Sequence, residues 1–173
     1  MSLGGINADR IPSRMAANNT ILIVDDDPEK LAYYWRLFEE DAGARFDVLG
    51  EGRPQRHRLL CHRLGDSFRF VEMFAEMHRM DHHFPLCIVD MRMPGSDGLI
   101  DELRGLAVSR RVREIDPVVH IVLATAKADV DDEEVCREVG GSTHFFRLPF
   151  GAAQEEEFVA KVHALVDDWN ERR

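Results

Sequence analysis

Three short apolar runs in this chain each end on a polar side chain that a buried strand does not require. Residues 21–24 (ILIV) run into Asp25 and Asp26, residues 86–89 (LCIV) into Asp90, and residues 118–124 (VVHIVLA) into Thr125. An apolar run without alternation marks a strand covered on both faces, since an exposed face would carry a polar residue at every second position. Such strands need helices on both sides of their sheet. That requirement excludes most folds at once.

The segments between the runs have helical period. Pro28 stands in the first turn of a helix whose apolar face reads Leu31, Tyr34, Trp35 and Phe38. A second helix over residues 67–80 presents Val71, Phe74 and Met77. A third, from about residue 98, carries Leu99, Leu103 and Leu106, with Ser96 or Asp97 placed as its cap. Residues 131–141 (DDEEVCREVGG) form a fourth, with acids in its first turn and Gly140 to end it. The last, over residues 154–170, buries Phe158, Val162, Leu165 and Trp169. RFDVLG (45–50) and THFFRL (143–148) supply two more strands. Strands alternating with helices specify an α/β fold: a doubly wound five-stranded parallel sheet flanked by five helices.

A length of 173 residues suits one domain with a proper core. Residues 1–19 lack any period and read as a flexible tail, 20–170 as the domain, and 171–173 as its end or the start of a linker. The net charge of −10 argues against direct nucleic-acid binding, which needs a basic surface. Cys61, Cys87 and Cys136 lie far apart without a C-x-x-C pair, which suits a reducing cytoplasm. No apolar run is long enough to span a membrane, and the N-terminus lacks a signal-peptide core.

In an open α/β sheet, ligands bind beyond the carboxyl ends of the strands, at the switch point. Asp25, Asp26, Asp90 and Thr125 all fall at such ends. Clustered carboxylates repel unless a cation joins them, and a set of oxygen donors without His or Cys selects Mg²⁺. A carboxylate beside Mg²⁺ can attack a phosphoryl group and form an aspartyl phosphate, with the Thr125 hydroxyl bonding one of its oxygens. Residue by residue, blander readings exist. Asp25–Asp27 alone could be acids favouring the following helix, and Thr125 a residue of high β propensity; the matching strand ends of Asp90 and Thr125 favour the site.

The pieces ILIVDDDP, LCIVDMRMPGSDGL, VLATA and FFRLPF together resemble the response-regulator receiver domains of two-component signalling, with a flavodoxin-like fold. The resemblance covers nearly the whole chain from Thr20 onward. It implies that Asp90 is the phosphoacceptor and that Asp25 and Asp26 are the acidic pair, with Asp26 a direct Mg²⁺ ligand. It makes the backbone carbonyl of Arg92 a further ligand, Thr125 the switch hydroxyl, and Phe145 the aromatic switch residue. Small Ala126 leaves room for the phosphoryl donor. The implied partners are a histidine kinase or phosphotransfer protein, and an output domain or downstream protein; a homodimer is compatible with the pattern. Such a domain is a signalling module and not an enzyme beyond phosphorylating itself from small donors and dephosphorylating itself.

One position departs from the family. The lysine usual before the final Pro-Phe is Leu148 here, and Arg147 beside it points to the opposite face of its strand. Lys127 and Arg92 are the cations nearest in sequence to the site. This leaves an alternative open: a degenerate, phosphorylation-independent receiver acting as a docking module. Two enzyme readings fail on a required residue. A haloacid-dehalogenase phosphatase needs an acid where Arg92 stands, and no G-x-x-x-x-G-K-[ST] exists for a P-loop hydrolase.

Asp26 and Asp90 are separated by about twenty residues more than the family spends there, so an inserted segment is expected at about 53–66. It carries Arg53, Arg56, Arg58 and Arg63, and Leu59, Leu60 and Leu64 would form one face of a short amphipathic helix. It reads equally as a docking element or as a solvated flap. His57, His62, His78, His82 and His83 lack compact zinc spacing apart from a loose HRMDHH, and read as solvated surface. Cys87 reads as a small core residue.

Overall fold

The structure, a computed structural model, describes residues 20–40, 59–63, 67–95, 97–126, 131–148 and 151–172. The elements run β1 (Ile21–Asp25), α1 (Pro28–Glu40), β2 (Leu59–Arg63), α2 (Ser67–Arg79), β3 (Leu86–Asp90), β4 (Met93–Pro94), β5 (Ile100–Asp101), α3 (Arg104–Ile115), β6 (His120–Thr125), α4 (Asp132–Val139), β7 (Thr143–Arg147) and α5 (Ala152–Glu171). Five strands form one parallel sheet in the order β2-β1-β3-β6-β7. The strand order reverses between β1 and β3, which is where the acids of both strands emerge.

The apolar runs do what two-sided burial demands. Leu22, Val24, Cys87, Val89, Ile121 and Leu123 pack on one face with Phe70, Phe74, Leu106, Val112 and Val135 of α2, α3 and α4. Ile21, Ile23, Leu86, Ile88, Val122 and Ala124 pack on the other with Tyr34 and Phe38 of α1 and Phe158 and Val162 of α5. The strand period of two therefore fixes which helix layer each strand-end residue meets. Asp25 and Asp90 continue the α1/α5 set. Cys87 is a fully buried free thiol, as expected of a small core residue.

Three expectations need correction. The second strand of the sheet is Leu59–Arg63, paired in parallel with β1, so Leu59 and Leu60 belong to an edge strand and not to an amphipathic helix. The expected strand at 45–50 and the N-terminal tail lie outside the described residues. The third helix begins at Arg104, six residues later than the leucine spacing predicts. Asp97 Oδ1 accepts the Leu99 amide and Asp101 Oδ1 the Leu103 amide, which turns the backbone twice. Gly98 at φ 76° completes a small antiparallel pairing of β4 with β5. Leu99 and Leu103 are left 70% and 50% exposed, and Asp97 is not the cap of α3. Histidine is the third case: His78 and His83 are half-buried and lean on Asp116, while His82 is exposed as expected and His57 lies outside the described residues.

Helix α3 rests directly on the strand end that carries Asp90. The Gly105 amide donates to the Met91 carbonyl at 2.9 Å, and a Cβ on Gly105 would lie 2.1 Å from the Asp90 carbonyl oxygen. That neighbour is backbone and cannot yield. Ala would gain about 1 kcal/mol in helix propensity, but the clash costs about 1–3 kcal/mol and moves the strand end. We therefore expect Gly105→Ala to lower the urea midpoint and to shift the amide resonances of residues 89–92; an unchanged midpoint would show that α3 can slide away from β3.

Candidate functional site

Three acids meet at the carboxyl edge of the sheet. Asp25 at the end of β1 and Asp90 at the end of β3 are 1% and 2% exposed, and Asp26 is half-buried beside them. One carboxylate oxygen from each can be chosen so that all three lie within 4.8 Å of one another. The neighbouring Asp27 has a different task. Its side chain accepts the Glu29 amide at 2.8 Å and caps α1, while its own amide donates to Asp25 Oδ1 at 2.9 Å. The helix-favouring acid is thus Asp27, which leaves Asp25 and Asp26 for the cleft.

The cleft over these acids is lined by Asp26, Lys30, Asp90, Arg92, Thr125 and Ala126, among others. Thr125 ends β6 next to Ala124, which is in register with Asp90. Phe145 stands apart from the cleft. It is half-buried against the core cluster of α2, α3 and α4, with the Arg147 guanidinium 5.4 Å from its ring centre. Arg147 also pairs with Asp132 at the start of α4, on the side of the sheet away from α1, as strand alternation predicts. Leu148 packs instead into the cluster of α1 and α5.

The cation that sequence reasoning missed is Lys30. From the first turn of α1 its ammonium donates to Asp90 Oδ2 at 3.1 Å and lies 3.6 Å from Asp25 Oδ2. Arg92, by contrast, is turned outward to Glu102 at 3.6 Å, and Lys127 lies outside the described residues. The available signal was spacing: Lys30 follows Asp26 by four residues across a helix start, one turn from the acid.

Charge is expensive here. Burial and the nearby Asp90 carboxylate push Asp25 up to about 7 from the ordinary 3.8, against the pull of the Asp27 amide and Lys30. Burial likewise raises Asp90, with Lys30 opposing it. Burial works against the charge of Lys30, but Asp25 and Asp90 outweigh it and hold the ammonium above its ordinary value. Asp25 Oδ2 and Asp90 Oδ1 are buried without a hydrogen-bond partner. Buried carboxylate oxygens left unbonded, in an all-oxygen set open to a cleft, fit a hard divalent cation such as Mg²⁺.

No family model matches the sequence. Over 80 residues, 46% of this chain, it is 29% identical to the sporulation initiation phosphotransferase F of Bacillus subtilis. The chain spans 58% of the length of that curated relative. Among solved structures it is similar to a CheY-like response-regulator receiver domain protein from Methanospirillum hungatei, with TM-score 0.62, 14% identity, and 90% and 98% of the two chains covered. It is also similar to the receiver domain of a sensor histidine kinase from Pseudomonas aeruginosa, with TM-score 0.58, 18% identity and coverage of 87% and 99%. That structure holds magnesium in its active-site cleft. The chain has the receiver-domain fold. Within that fold its acids, Thr125 and Lys30 share one edge of the sheet.

The raised pKa of Asp25 has a consequence for stability. The native state holds this proton more tightly than the unfolded chain, so the stability it confers is full below about pH 4 and fades as the pH rises toward 7. In buffer free of divalent cations, we expect the urea midpoint to fall between pH 5 and pH 8, and Asp25→Asn to flatten most of that fall. An equal slope in the variant would assign the strain to another group.

Proposed function

We propose that this chain is a response-regulator receiver domain that accepts a phosphoryl group on Asp90 in a Mg²⁺-dependent reaction. The observation that carries this reading is the meeting of Asp25, Asp26 and Asp90 with a cation and a strand-end hydroxyl in one cleft. Asp90 is the only one of the three acids on the central strand β3, in the middle of that edge. Asp26 and Asp90 would hold the metal with the Arg92 carbonyl, and Asp25 would orient it from β1. A bound Mg²⁺ neutralises charge on the transferring phosphoryl group.

The chain's own groups do the rest. An Asp90 carboxylate oxygen attacks phosphorus, the bond to the donor's leaving oxygen breaks, and an acyl phosphate forms. Thr125, one strand over, bonds a phosphoryl oxygen, and exposed Ala126 keeps the donor's approach open. The donor would be a histidine kinase or phosphotransfer protein, and Phe145 would report the change to a downstream partner through the α4 side of the sheet. Among the described residues no helix is long and apolar enough to cross a membrane. The sparse, widely spaced cysteines support a cytoplasmic setting.

Intact-mass spectrometry after acetyl phosphate treatment tests the reading. The protein should gain one phosphoryl mass only with Mg²⁺ present, Asp90→Asn should gain none, and Asp26→Asn should gain none at millimolar Mg²⁺. No gain at millimolar Mg²⁺, on a protein that melts cooperatively, would favour the docking module.

A further inference from the structure

We propose that Lys30 supplies, from the first turn of α1, the phosphoryl-facing cation that Leu148 cannot. This rests on the phosphoacceptor reading and concerns the same site. The strand period brings position 148 to the α1/α5 side of the sheet, with Phe146 and Leu148 in the cluster that holds Tyr34 and Phe158. Asp25 and Asp90 follow the same parity. Lys30 approaches from that side, and it lines one cleft with Asp90 and Thr125 and an adjoining one with Leu148, Tyr33 and Ala126. A lysine at 148 and the lysine at 30 would therefore compete for one region of space. Leu148 gives way there by packing into the core.

The Lys30 ammonium is already within hydrogen-bond distance of the nucleophile, at 3.1 Å, and its side chain is 28% exposed at the mouth of the cleft. When Asp90 gains a phosphoryl group, the carboxylate loses its charge and the new oxygens carry it outward. Lys30 has to move only by about the separation of two oxygens on one phosphorus to follow that charge. Its anchor is the first turn of α1, which is tied to α5 by the Tyr33 hydroxyl donating to Glu155 at 2.7 Å. Phosphorylation would pull on α1 and not on the loop after β7.

The test compares wild type, Lys30→Met, Lys30→Arg and the double variant Lys30→Met/Leu148→Lys. The readouts are labelling by acetyl phosphate and Mg²⁺ affinity from amide shifts. Lys30→Met should slow labelling at least tenfold while Mg²⁺ affinity stays equal or rises, because a competing cation is gone. Lys30→Arg should retain part of the rate, and Leu148→Lys should restore it in the Lys30→Met background. Labelling of Lys30→Met at the wild-type rate would reduce Lys30 to a counter-ion of the metal-free acids. Loss of Mg²⁺ binding together with labelling would make it a structural residue. A wild type that never labels overturns the phosphoacceptor reading itself, and this inference with it.

A second site stands at the opposite pole of the sheet and does not depend on the first. Asp116, after α3, is 1% exposed; its Oδ1 accepts the Val118 amide at 3.0 Å, and its Oδ2 is buried with no hydrogen-bond partner. That oxygen faces His78 Nε2 from the end of α2 and His83 Nδ1 from the loop before β3, each at 3.7 Å. All three donors lie within 4.8 Å of one another. Tetrahedral Zn²⁺ with bonds of about 2.1 Å sets its donors roughly 3.4 Å apart. The other nitrogen of His83 meets Asp81 Oδ1 at 3.0 Å, an outer carboxylate of the kind that orients a ligating imidazole. Asp81 holds φ 62°, a conformation uncommon outside glycine.

From this geometry we infer a His78–His83–Asp116 site for a borderline divalent metal of the Zn²⁺ class, with its fourth position open to solvent. Calorimetric titration of the whole chain with zinc chloride in excess Mg²⁺, which would occupy the Asp26–Asp90 cleft, should show one saturable equivalent. His83→Asn and His78→Asn should each weaken it at least tenfold, while Asp26→Asn leaves it unchanged. Absence of saturable binding, or binding indifferent to His78 and His83, would leave the cluster a histidine–carboxylate ion pair.

Discussion

The structure turns on the cost of placing two buried carboxylates, Asp25 and Asp90, on adjoining strands with a third beside them. Like charges in a low-dielectric setting repel strongly, and neither β1 nor β3 can retreat, because both are covered on two sides. The repulsion is relieved by protonating Asp25 in part and by drawing in Lys30. An arrangement this costly to stability is characteristic of a site kept for chemistry. The core supports it: α3 presses on the Asp90 backbone through Gly105, so the strand end that carries Asp90 has little freedom to relax.

Much of the fold was legible because it obeys one period per element. Apolar runs without alternation located β1, β3 and β6, and helical spacing located α1, α2 and α5. The errors fall where local chemistry overrides period. Leu99, Leu103 and Leu106 sit at helical spacing, yet Asp97 and Asp101 take backbone amides that a helix would need, and the helix starts only after both turns. The edge strand was misplaced for a different reason. LLCHR has one covered neighbour strand and a polar end, so its pattern is weaker than that of a central strand and easily read as helix.

The site was legible as a set of strand ends, and the resemblance ordered those ends into roles. What it could not give was contact across sequence distance. A lysine two residues into a helix is ordinarily a solvated residue, and only the parity of β1 and β3 turns Asp25 and Asp90 toward α1 to meet it. The same holds at the far pole. His78 and His83 form no compact motif, and Asp116, which draws them together, comes 33 residues after His83 in the sequence. The HRMDHH stretch supplied two donors; the fold supplied the third.

If Lys30 is the phosphoryl-facing cation, its place on the first helix and not on the last strand changes what phosphorylation would push. In the cleft Lys30 and a divalent metal draw on the same negative charge. At 3.1 Å an ammonium–carboxylate pair gains about 5 kcal/mol gross at an effective dielectric near 20, before desolvation is subtracted. On the proposed reading, a metal held by Asp26 and Asp90 would weaken that gain and free Lys30 to turn toward the cleft mouth. A phosphoryl group on Asp90 would then offer it a new partner. The two states would differ in where one ammonium is held, and the difference would reach α1 and, through Tyr33 and Glu155, α5. Phe145 and Arg147 lie on the other face of the sheet, against α4, and must be reached through Thr125. Thr125 is in register with Arg147, so that route is one strand wide. On that reading the α1/α5 face would take the pull of Lys30 and the α4 face that of Thr125, and each would serve a different protein surface.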